Sequence, residues 1–187
     1  MKPIGPLMWE HRLIERLVQI LKKEVSKIRE QNAVNTVLID EAIDFFRTYS
    51  DRTHHGKEEE ILFRDLAKKS LSPGHRKIME ELIEEHVEAR KMVRELIDSK
   101  KKYLAGSKNG LTEINDCLVR LIEFYPAHIF KEDKNFFFPC MDYFSREEQD
   151  EMLREFYEFD RQMIHEKYTN LVEDFLGQKV PRRSRAK

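Results

Sequence analysis

Apolar residues recur along this chain in steps of four and three. That is the rhythm of a helix burying one seam against its neighbours. The first stripe reads Leu7, His11, Ile14, Val18, Leu21, Val25 and Ile28. The second reads Ile39, Ile43, Phe46, Ser50, His54, Glu58 and Ile61, and the third Met79, Leu82, His86, Ala89, Val93 and Leu96. The fourth reads Ile114, Leu118, Leu121, Tyr125, His128, Glu132 and Phe136. Pro3 and Pro6 lead into the first helix, where proline is tolerated. Asn35 is placed to cap the second, which should run from about 36 to about 69. Ser72 and Pro73 have the N-cap and first-turn chemistry to start the third, and Ala105-Gly106-Ser107 closes it. Pro126 lies inside the fourth and should kink it just before His128. Ser145-Arg146-Glu147-Glu148 is a capping box that opens a fifth helix over 145–176. Short connections make successive helices antiparallel neighbours. The expected fold is therefore all-α, an up-down-up-down four-helix bundle over about 7–140, with the fifth helix packed outside it or over one end. Residues 1–177 read as one domain and 178–187 as a basic, frayed tail.

Composition agrees with long amphipathic helices: 37% of the 187 residues are charged, 40% are hydrophobic, and only six Gly and six Pro occur. A net charge of −1 gives no global reason to expect nucleic acid. No apolar run approaches the roughly 20 residues of a membrane span. The N-terminus lacks a signal peptide's basic start and apolar middle, so a soluble, cytoplasmic protein is expected. Cys117 and Cys140 are far apart, which argues against a disulfide framework and a thiolate metal site.

Histidine changes the picture. Each of the first four stripes carries one imidazole, at His11, His54, His86 and His128, and two of them add a glutamate four residues later, Glu58 and Glu132. Residues i and i+4 share a helix face one turn apart. The two pairs lie in an internal repeat. His54 to Phe63 and His128 to Phe137 both read His-x-x-Lys-Glu-acidic-x-x-apolar-Phe. A lone seam histidine or a lone His–Glu pair on a charged helix is ordinary. Burying four imidazoles and two carboxylates together without a cation would cost roughly 1–3 kcal/mol for each unpaired group. Mixed nitrogen and oxygen donors suit iron, manganese or zinc. Two carboxylates able to bridge and four imidazoles are about what a dinuclear iron centre needs.

The ordered set His11, His54-x-x-x-Glu58, His86, His128-x-x-x-Glu132 resembles the hemerythrin-like (HHE cation-binding) domain over about residues 7 to 140. The flanks Trp9-Glu10-His11-Arg12, Lys57-Glu58-Glu59, Glu85-His86-Val87-Glu88 and Phe137-Phe138-Pro139 agree. The resemblance implies a bundle holding two iron ions, bridged by the two glutamates and an oxo or hydroxo group, with other divalent metals as alternatives. It also implies a small diatomic ligand, oxygen or nitric oxide, bound for sensing, storage or detoxification. The alternatives are a di-iron enzyme reducing peroxide or nitric oxide, and an iron donor or store in iron–sulfur repair. Oxygen-carrying members have a second histidine on the third helix where this chain has Arg90. Their fourth-helix acid comes five residues after its histidine. Here Glu132 and Asp133 stand at four and five, and the internal repeat favours Glu132. The pattern is thus closer to the bacterial and archaeal hemerythrin-like proteins and to the di-iron proteins of iron–sulfur repair than to the oxygen carriers.

Three further residues are candidates for metal binding or its support. His55 is rotated about 100° from the stripe on an ideal helix and reads as a rim residue paired with Glu59. Glu59 itself reads as a solvated acid or a supporting partner. His165, beside the apolar stripe of the fifth helix, would supply an extra imidazole if that helix folded over the site. Tyr49 and Tyr125 read as packing, His75 as exposed, and the phenylalanines at 124, 130, 136–138 and 156 as core that keeps water from the metal. No nucleic-acid or membrane partner is expected, and no protein partner is specified.

Overall fold

The computed structural model describes residues 2–176, without the side chains of 164–166 and 168–176. The tail over 178–187 and the side chain of His165 lie outside the described residues. Helix α1 spans Ile4–Gln31 and ends on Asn32 in the left-handed conformation. Helix α2 runs continuously over 36–66. It is α-helical over Thr36–Asp44, widens to π over Phe45–His55 and again over Glu58–Phe63, and closes on Arg64–Leu66. Helix α3 spans Pro73–Leu104. Helix α4 covers 110–140, with Gly110–Phe130 α-helical, Lys131–Phe136 π-helical and Phe137–Cys140 α-helical. Helix α5 spans Arg146–Leu176.

The starts follow from their caps. The Asn35 side chain accepts from the Leu38 N–H, and Ser72 Oγ accepts from His75 N–H ahead of Pro73. Ser145 and Glu148 satisfy each other's backbone N–H at 2.9 and 3.2 Å. Pro126 sits inside α4 without ending it. The departure from α geometry comes later, at 131–136, after His128.

Every residue of the four stripes is buried. The first four helices pack in cyclic order, α1 against α2 and α4, and α3 against α2 and α4. Their apolar seam is divided into two clusters. One gathers Ile14, Val18, Phe46, Leu121 and Tyr125 with others towards one end, and the second gathers Leu7, Ile61, Leu82, Phe136 and Phe156 towards the other. A polar layer lies between them.

Helix α5 lies along the outside of α2. Phe156 is buried in the second cluster, and Arg64 and Lys69 on the α2 side reach Glu155 and Glu148. Of the phenylalanines expected in the core, Phe130 and Phe138 are instead exposed, at 60% and 51%. They sit off the seam of α4. His75 is half-buried, with its Nδ1 2.8 Å from the Tyr143 hydroxyl. Tyr125 is buried and hydrogen-bonded to Ser50 at 3.0 Å.

Candidate metal centre

The polar layer consists of His11, His54, His55, His86, His128, Glu58 and Glu132, all buried. Each glutamate divides its oxygens between two sides. Glu58 Oε1 lies 3.4 Å from His54 Nε2, and Oε2 lies 3.4 Å from His86 Nε2. Glu132 Oε2 lies 3.0 Å from His11 Nε2, while Oε1 lies 3.4 Å from His128 Nε2 and 3.7 Å from His86 Nε2. Ligand atoms of His11, His54, Glu58 and Glu132 all fall within 4.8 Å of one another, and so do those of His55, His86 and His128.

The Nε2 atoms of His11, His54, His86 and His128 and all four oxygens of the two glutamates have no aligned hydrogen-bond partner. The 3.0 Å contact of His11 has the distance but not the direction of a hydrogen bond. Unpaired buried polar atoms cost about 1–3 kcal/mol each. A layer with this many survives in a folded protein when a cation takes the lone pairs.

The outward sides of the same rings are fully engaged. His11 Nδ1 meets Asp133 at 2.8 Å, His54 Nδ1 meets Glu10 at 2.9 Å, His86 Nδ1 meets Glu59 at 2.7 Å and His128 Nδ1 meets Glu85 at 2.7 Å. A carboxylate on Nδ1 holds the proton there and leaves the Nε2 lone pair directed inward, the arrangement a metal-binding imidazole needs. Each carboxylate is in turn held by a cation: Asp133 by Arg12, Glu10 by Lys57, Glu59 by Arg90 and Glu85 by Lys131. Lys57 is completely buried and also reaches Asp160 of α5 at 2.8 Å.

This explains the internal repeat. In His-x-x-Lys-Glu, the histidine and glutamate face the centre, and Lys57 and Lys131 play one role in both copies. The orienting acids follow a simple rule. Glu10, Glu59, Glu85 and Asp133 each adjoin a centre-facing residue in sequence, and each serves a histidine on a different helix. One step around a helix turns a side chain about 100° from the core seam toward the neighbouring helix. Glu59 therefore meets His86 and Arg90, not His55. The sequence showed Glu10, Glu85 and Asp133 as flanking acids, but their partners depend on helix packing.

His55 departs from the rim position expected for it. It is 1% exposed and its ring stacks on His86 at 3.9 Å. The π-helical turn carries more residues per turn than an α-helix, so successive side chains rotate less and His54 and His55 both face inward. Its nearest acid, Asp51, is 3.7 Å from Nδ1, beyond hydrogen-bond reach. Both ring nitrogens lack a partner. Aromatic rings line the other histidines: Phe137 stacks on His11, Phe124 on His128 and Phe63 on His86.

Crowding shifts the protonation of these groups in opposite directions. Burial works against a charge on His11, but the Asp133 hydrogen bond and the adjacent Glu132 carboxylate overcome it and carry the ring up to about 9. Burial and the nearby His11 push His54 down to about 4 against the pull of Glu10. Burial, then repulsion by His86, His54 and His128, pushes His55 well below the usual imidazole range. Burial and the Glu132 charge push Glu58 well up. Burial opposes the Glu132 charge, but His128, His11 and His86 outweigh it and hold that carboxyl well below the usual range.

A family model described as the hemerythrin HHE cation-binding domain matches residues 3–138. Searches of curated proteins and of solved structures returned no match.

Proposed function

The chain belongs to the hemerythrin HHE cation-binding family, and from that premise we propose that it is a non-haem di-iron protein binding oxygen or nitric oxide. The observation that carries the two-metal reading is the division of Glu58 and Glu132, each with one oxygen toward His11 or His54 and the other toward His86 or His128. In this reading His11 and His54 would hold one ion and His86 and His128 the other, with Glu58 and Glu132 shared between them and His55 standing beside the second. Imidazole and carboxylate without thiolate favour iron or a similar borderline metal. Bound iron would supply an electron-rich centre able to take up a small exogenous ligand. The stacked Phe63, Phe124 and Phe137 rings give His86, His128 and His11 an apolar flank, which favours neutral diatomic ligands.

Metal analysis of the purified full chain is the first test, with about two irons per chain expected from the two donor groups. The reduced, iron-loaded protein should then change its near-ultraviolet and visible absorption on exposure to oxygen or nitric oxide. A protein that takes up no metal would sink the centre. One that binds iron yet shows no spectral response would sink the ligand assignment.

A further inference from the structure

A pocket of about 490 Å³ opens to solvent between α2 and α3, and His55 is among its lining residues. Its other charged lining is lopsided. Arg47, Arg90, Arg94 and Lys101 line it against only Asp51 and Asp98. Two of the cations are already engaged. Arg90 is bonded to Asp51 at 2.7 Å and to Glu59 at 2.8 Å, and Lys101 lies 3.2 Å from Asp98. Among the described residues, Arg47 and Arg94 have no carboxylate within ion-pair distance, so the pocket carries uncompensated positive charge.

His55 adds the second, independent observation. Four histidines of the centre are locked by a carboxylate on Nδ1 at 2.7–2.9 Å. The fifth is not, because the acid that would lock it, Asp51, is held by Arg90. An imidazole at 1% exposure with two unpartnered nitrogens therefore stands where the pocket meets the centre.

We propose that this pocket is a binding site for a small planar oxyanion of the carboxylate or nitrite type, held by Arg47 and Arg94 beside His55. The guanidinium fork matches a planar two-oxygen anion through paired hydrogen bonds. An anion seated there lies next to the His55, His86 and His128 side of the centre. It rests on the metal reading only for that last consequence; the pocket's charge and the unpartnered His55 stand without it.

The test is calorimetric titration of the full chain, metal-free and iron-loaded, with nitrite, with formate, and with formamide as the uncharged planar control. Nitrite and formate should bind and formamide should not. The Arg47→Gln/Arg94→Gln double variant should weaken anion binding by about tenfold or more, with helicity by circular dichroism and iron content unchanged. Preference for nitrite over formate would identify an inorganic ligand, and the reverse an organic acid. Binding to metal-free protein that the double substitution removes supports the pocket even if no iron is taken up. Iron uptake with anion affinity unaltered by the substitution, equal binding of formamide, or no anion binding in either form overturns the proposal.

Discussion

Glu85 points away from the centre, yet the geometry makes His128 depend on it. Its carboxylate accepts from His128 Nδ1 at 2.7 Å and is steadied by Lys131. Glu85→Gln keeps the volume and removes the charge, so the imidazole loses its fixed tautomer while the helix packing stays. The expected outcome is a ~10–100-fold loss of metal affinity with little change in thermal stability of the metal-free protein. Competition with a chromophoric chelator would measure it, and unchanged affinity would show that Glu85 only solvates the helix face. At this scale the seam histidines and Glu58 and Glu132 were legible because each interrupts an apolar stripe. His55 was legible as a residue but not in its direction, because an ideal 3.6-residue period turns it toward the rim.

The elements that matter for the site are those where α geometry gives way. Both π stretches of α2 and the one in α4 carry centre residues: His54 and His55, Glu58, and Glu132. A widened turn re-aims side chains at the cost of poorer backbone geometry, and it is found most often at functional sites. Nothing in the local residue types announces it; the polar layer's demand for inward-facing donors is a tertiary constraint. Glycines test the packing between elements. A Cβ on Gly110 would lie 2.5 Å from the Tyr103 Cα and 2.6 Å from its backbone nitrogen. Backbone cannot move aside cheaply, so Gly110→Ala should cost about 1–3 kcal/mol in chemical denaturation. A Cβ on Gly56 would meet only the tip of the Phe159 ring, at 2.7 Å. That ring can swing, and alanine is the better helix former by about 1 kcal/mol. Gly56→Ala should therefore be near neutral, and a large loss there would mean that α5 is clamped more rigidly on α2 than its contacts suggest.

Across the whole molecule, two apolar clusters clamp a charged layer between them, so protons and metal compete for the same groups. His11, raised to about 9, binds its proton more tightly folded than unfolded. That contribution is fully present below the ordinary imidazole value of 6.5 and is lost as pH rises toward 9. Glu58, also raised, acts with the same sign from the ordinary carboxyl range upward. His54, lowered to about 4, acts only below 6.5 and leaves this window untouched. Protein stripped by chelation should therefore lose about 1–3 kcal/mol between pH 6.5 and 9. The metal-loaded protein should not follow, since the cation replaces the proton on those lone pairs. It should also be more stable throughout, by about 4 kcal/mol at free metal a thousandfold above Kd. Thermal melts of both forms across that range would show it, and parallel curves would mean that the metal does not occupy these donors. Among the described residues no helix is long and apolar enough to cross a membrane.

The linear pattern by itself determined the helices, their caps, the bundle order and the seam on which His11, His54, Glu58, His86, His128 and Glu132 lie. Period and cap chemistry are local, and a short loop leaves an antiparallel neighbour little choice. Tertiary structure alone decided which acid orients which histidine, because each pairing crosses from one helix to another. It also decided that α5 lies along α2 and brings Asp160 to Lys57. It turned His55 inward through a π-helical widening, beside a basic pocket formed where α2 meets α3. Those outcomes depend on how helices rotate against one another under the pull of a shared polar layer, and periodicity along a single chain carries no record of that rotation.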